Sequence, residues 1–149
     1  MKYLPSALLF ALSLFTFATC LDFSNLSTWT KWGRETQLII QNLRVSPVES
    51  VSVRDVDKHD FMEGNGPREK FKGVSIPAKR SIERTLEINN FATRCPFTMD
   101  LTFADGVTAS FHINMKFALG EGDAEFRYGG PFPMSYKRSG TFLIVALGP

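Results

Sequence analysis

The chain has 149 residues, with 17 Lys and Arg against 15 Asp and Glu, for a formal net charge of +2. That near balance, with no basic stripe to neutralise a phosphate backbone, argues against nucleic acid as a partner. The composition, 44% hydrophobic with 14 Phe and 21% charged residues, argues for a packed fold and against disorder.

The chain opens with a single early cation, Lys2, then the apolar run Ala7-Leu8-Leu9-Phe10-Ala11-Leu12-Ser13-Leu14-Phe15 and the small residues Thr16, Ala18 and Thr19. This is the layout of a cleavable secretory signal peptide over residues 1–20, too short and too interrupted for a transmembrane span. About 129 residues, 21–149, then remain for one domain. The expected location is secreted and extracellular. Cleavage after Ala18 keeps Cys20, which can pair with Cys95 in an oxidising compartment; cleavage after Cys20 leaves Cys95 as a lone thiol in the core. Lipidation of Cys20 is the third route. Asn25-Leu26-Ser27 is a glycosylation sequon.

From there the dominant signal is period-two alternation, which predicts strands. Strands are expected over 37–45 and 48–56 around Ser46-Pro47, over 70–76 up to Pro77, and over 81–89. In the last of these, Ile82, Leu86 and Ile88 face inward, and Arg84 on the same register marks an edge. The run 97–103 sets Phe97, Met99, Leu101 and Phe103 on one face, and 107–117 sets Val107, Ala109, Phe111, Ile113, Met115 and Phe117 on one face. Only a three-residue connection, Ala104-Asp105-Gly106, keeps both apolar sets on the same side, because a one-residue slip would flip every side chain. It also puts Gly106 at the left-handed position of the loop. Short alternation at Ala124, Phe126 and Tyr128, and an apolar strand over 141–147 that reads as buried on both faces, complete eight strands. No apolar stripe at helical spacing lasts three turns. The predicted fold is all-β, a single antiparallel two-sheet sandwich. Segments 57–70 and 127–140 break the rhythm: the first reads as a long exposed loop, and the second holds an aromatic, proline-rich loop over 128–136 that either presents its rings outward or folds Phe132 and Met134 back to cap the core.

Catalytic signals are absent from the pattern. Ser110 and His112 share a strand face but stand two residues, ~6.6 Å, apart, which is adverse for a dyad, and no G-x-S-x-G motif occurs. Asp55, Asp57, His59 and Asp60 lack the spacing of an EF-hand loop and read as a solvated loop. No metal and no cofactor are expected, and the chain reads as a non-enzymatic protein. The binding candidates are aromatic. Trp29 and Trp32 follow the leader and either bind or pack on the sandwich as its first strand or a plug; Tyr128, Phe132 and Tyr136 sit beside Lys137 and Arg138, a combination suited to a membrane interface or a sugar face.

The order of features also resembles the aegerolysins, small β-sandwich proteins that recognise membrane lipids. The resemblance runs through Thr28-Trp29-Thr30-Lys31-Trp32, Ile39-Ile40-Gln41-Asn42, the strand 48–56, the turn Ile76-Pro77-Ala78 into 82–88, and the hairpin through Ala104-Asp105-Gly106. Where that family has a segment with Trp and Cys, this chain reads Asn114-Met115-Lys116-Phe117, so no site residue carries over. The expectation is a secreted protein that binds a cell-surface lipid or glycan, with peripheral membrane contact. The alternative is an effector-like protein that acts on a partner protein through an exposed edge or loop.

Overall fold

The computed structural model describes residues 34–116, 125–139 and 141–149. The leader, Cys20, the Asn25 sequon and the binding candidates Trp29 and Trp32 lie outside the described residues. The strands are β1 (Arg34–Asn42), β2 (Val48–Arg54), β3 (Ser81–Ile88), β4 (Arg94–Phe103), β5 (Thr108–Lys116), β6 (Glu125–Gly129), β7 (Met134–Ser139) and β8 (Phe142–Leu147). One short helix, α1 (Pro67–Lys70), sits between β2 and β3. The strands form two four-stranded sheets, β3-β1-β8-β7 and β2-β4-β5-β6. Among the described residues every strand pairing is antiparallel except β1 with β8, which is parallel.

Alternation builds the core. Leu38, Ile40, Leu86, Ile88, Leu143, Val145 and Leu147 from the first sheet are buried with Phe97, Met99, Leu101, Phe103, Phe111 and Ile113 from the second. Each such side chain contributes about 1.5–3 kcal/mol by leaving water. The β4–β5 hairpin has the register that one-sided burial demands, with Leu101 opposite Ala109 and Met99 opposite Phe111. Gly106 closes it at φ +83°, and its N–H donates to the Phe103 carbonyl at 3.0 Å. Arg84 lies on edge strand β3, half-buried, and its Nε donates to the Lys70 carbonyl at 3.2 Å.

Both open sides of the sandwich are closed. On one side the segment from β2 to β3 crosses between sheets and buries Phe61, Phe71, Val74 and Ile76. It hydrogen-bonds both edges, with Ile76 bridging Val48 and Phe61 bridging Ile88. Two expectations fall here. Residues 70–76 do not form a strand: the buried Phe71 and Val74 are three residues apart, which breaks the period of two, and Gly73 between them takes a left-handed φ of +69°. Residues 57–70 are not simply an exposed loop, because Pro67 favours a helix start and α1 follows.

On the other side, β6 and β7 belong to different sheets and are joined by residues 130–133. The expected loop over 127–140 is therefore the end of β6, a turn and all of β7. Strand β8 alternates in place of being buried on both faces, with Phe142 38% exposed on its outer side.

Because β3 runs antiparallel to β1 and β8 parallel to it, each end of the sandwich gathers a set of connections. One pole carries residues 89–93 and the start of the crossover. The opposite pole carries 43–47, 104–107 and 130–133.

Candidate functional site

The aromatic segment singled out in the sequence faces inward. Phe132 is 7% exposed and meets Phe103 edge-on at 5.2 Å. Tyr136 stacks on Phe126 of the opposite sheet at 4.9 Å and 11°, and Tyr128 donates its hydroxyl to the Phe132 carbonyl at 2.6 Å. That hydroxyl lies across Gly130, where a Cβ would have to displace the Tyr128 ring. The Arg44 guanidinium sits over both Phe132 (4.1 Å) and Phe103 (4.9 Å) and pairs with Asp105 at 3.1 Å. The expectation of one exposed patch of rings and cations is corrected by the pleat. On β7, Tyr136 and Arg138 point toward the core side, while Lys137 points to the outer face of its sheet.

The remaining polar candidates resolve as structural contacts. On the outer face of β4 and β5, Ser110 donates to Asp100 at 2.7 Å, and Arg54 Nε donates to the same carboxylate at 2.7 Å. These bonds hold the Asp100 carboxyl below the usual carboxylate range. His112 Nδ1 is 3.0 Å from the Thr98 hydroxyl, which is buried and closed to a substrate, with the residue 5% exposed. Asp55 engages Arg54, and Asp57 accepts the His59 N–H at 2.9 Å. No three metal-ligating side chains converge among the described residues. Cys95 is fully buried, its Sγ 3.7 Å from the Asp60 carbonyl.

One feature that the sequence pattern did not single out stands apart. Phe91 is 85% exposed. It occupies a closed turn in which the Ala92 N–H donates to the Asn89 carbonyl at 3.0 Å and the Phe91 N–H donates to Asn89 Oδ1 at 3.2 Å. The turn is tied to the crossover by the Asn89 N–H, which donates to the Asp60 carbonyl at 2.9 Å. Asp60 lies between two residues, His59 and Phe61, that line a surface cleft of about 440 Å³. Phe61 and Val56 give the cleft an apolar element, and Lys58, Glu63, Arg68 and Glu69 line it with charge. None of those four is in an ion pair among the described residues. Burial and the neighbouring Asp57 charge raise the Asp60 carboxyl above its ordinary value. The signal that could have found this site is a single aromatic residue out of strand register among Asn89, Asn90, Thr93 and Arg94.

Compared with known proteins, the sequence matches no family model and is significantly similar to no curated protein.

Proposed function

We propose that this chain is a secreted, non-enzymatic binding module that recognises a cell-surface glycan through the Phe91 turn and the adjoining cleft. The observation that carries the proposal is a phenylalanine 85% exposed on a turn whose Asn89 N–H is bonded to Asp60, the residue between the His59 and Phe61 that line the charged cleft. A sugar ring has an apolar face that suits an aromatic platform, and hydroxyls that suit carboxylate and guanidinium groups. A protein partner asks for more: a standard interface takes ~800 Å² per side with an apolar centre. On the Phe91 side the exposed large apolar residues are Phe91 and Met62, with Leu43 and Val45 at the opposite pole and Phe142 on the outer face of β8, so this side offers no apolar centre of that size. Edge addition is disfavoured as well. Strand β2 carries a register shift between Val48 and Ser50, and the C-terminal end of β3 is covered, with Glu87 bonded to Met62 and Asn65.

The test is a glycan array probed with the wild-type protein and with Phe91→Ala. Selective binding by wild type, lost in the variant, supports the proposal. No binding to any glycan, or equal binding by both proteins, overturns it.

A further inference from the structure

The outer face of sheet β3-β1-β8-β7 has an apolar centre where a solvated sheet face should be polar. Ile39 on β1 pairs in register with Ile144 on β8, and Phe142, 38% exposed, lies on the same face one inter-strand row away. The row through the two isoleucines ends in opposite charges. Glu83 on β3 is in register with Ile39, and Lys137 on β7 is in register with Ile144. Across the four strands it therefore reads Glu83, Ile39, Ile144, Lys137. Both charged side chains are exposed, and neither is in an ion pair among the described residues. The flanking rows are neutral: Thr85, Gln37, Phe142, Ser139 on one side, and Ser81, Gln41, Ala146, Ser135 on the other.

We propose that this face binds a second copy of the chain, forming a two-fold dimer whose axis runs along the strands. The charges choose both the occupant and the axis. A two-fold axis in the plane of the interface and parallel to the strands exchanges the left and right sides of the face. It sets Glu83 of each copy against the partner's Lys137 and each Ile39 against the partner's Ile144. A two-fold axis across the strands would set Glu83 against the partner's Glu83 and Lys137 against the partner's Lys137, and like charges facing each other are costly. The pattern is thus complementary to itself in one arrangement only, which is the requirement for an isologous interface.

Size sets the strength. Four strands ~4.8 Å apart and about six residues long present a face of roughly 19 Å by 20 Å. That is small for a permanent dimer and suits a reversible one. Glu35 and Glu87 stand on the same face near the Phe91 pole, more than one row beyond the charged row, and would remain at the wet rim. Since the axis runs along the strands, both copies would point their Phe91 turns the same way. That geometry suits two-site attachment to one surface, and in this respect alone the inference rests on the glycan proposal.

The experiment is sedimentation velocity on the purified full chain over a concentration series, without any glycan, so its outcome is independent of the binding proposal. Wild type should form a reversible dimer, whose fraction rises across the series up to millimolar concentration. Glu83→Lys and Lys137→Glu should each weaken it by about tenfold or more, and the double exchange Glu83→Lys with Lys137→Glu should restore it. Both positions are exposed, so circular dichroism should report an unchanged fold in every variant. A protein that stays monomeric at millimolar concentration overturns the proposal, and so does a dimer that both single exchanges leave intact or that the double exchange does not restore.

Discussion

Two turns of this molecule carry phenylalanine, and they treat it in opposite ways. In the turn between β6 and β7, Phe132 enters the gap between the sheets, covered by Arg44 and Tyr128 and packed on Phe103. In the turn between β3 and β4, Phe91 points into solvent while its neighbour Ala92 is buried. The first turn joins strands of different sheets at their lateral edges, where the core would be wet without a plug. The second crosses between sheets over a pole where Phe61 and Phe97 already meet edge-on at 6.4 Å. Aromatic side chains go where the sheets leave a gap, and Phe91, with no gap to fill, stays in solvent.

This contrast can be broken at several levels. The largest effect should come from Phe132→Ala, which removes a buried ring and exposes one face of Arg44. A loss of about 3–5 kcal/mol in chemical denaturation is expected, similar to Phe111→Ala. A loss below ~1 kcal/mol would show that the ring does not plug the sandwich. Next comes Asn42→Ala. Asn42 Nδ2 donates to the carbonyls of Ser46 (2.9 Å), Ile76 (3.5 Å) and Pro77 (3.4 Å), and its Oδ1 accepts the Arg44 N–H (3.1 Å). Leaving these groups unmatched should cost roughly 2–3 kcal/mol.

Two carboxylates should then show opposite pH signatures. Asp100 is held below its ordinary pKa by Arg54, so its contribution is present at neutral pH and fades as pH falls below ~4. Asp100→Asn should therefore flatten the acid limb of the stability curve. Asp60 is raised by burial, so its ionised form opposes folding at neutral pH. Asp60→Asn should raise the melting temperature at pH 7 and lose that advantage once the wild-type carboxyl is protonated in acid. The smallest effect belongs to Phe91→Ala, whose stability should match wild type within ~0.5 kcal/mol.

How much of the fold could be read from the sequence depends on the range of the signal. The register of the β4–β5 hairpin is legible, because alternation and a single glycine fix it locally, while the extension of β4 back through Pro96 to Arg94 is not. The eight-strand count agreed for a mixed reason: 70–76 is not a strand, and β7 is one that was hidden inside an apparent loop. The prolines and glycines of Arg127-Tyr128-Gly129-Gly130-Pro131-Phe132-Pro133 mask a change of sheet that only long-range pairing defines. The same change of sheet turned the proposed rings inward. Phe91 gave no periodic signal, since exposure at a turn depends on whether the neighbouring core is already full. The parallel β1–β8 pair, with the charged ends it gives to the Ile39–Ile144 row, joins residues a hundred positions apart and has no local trace.

The most direct test of the proposed binding surface is a two-dimensional amide NMR titration of the labelled protein with a panel of free oligosaccharides spanning neutral, acidic and amino sugars. Saturable shifts confined to the amides of residues 57–63 and 89–94 are predicted, absent in Phe91→Ala under the same conditions. Shifts centred on the outer face of β4 and β5, or none with any member of the panel, would contradict the assignment of that pole as the functional surface.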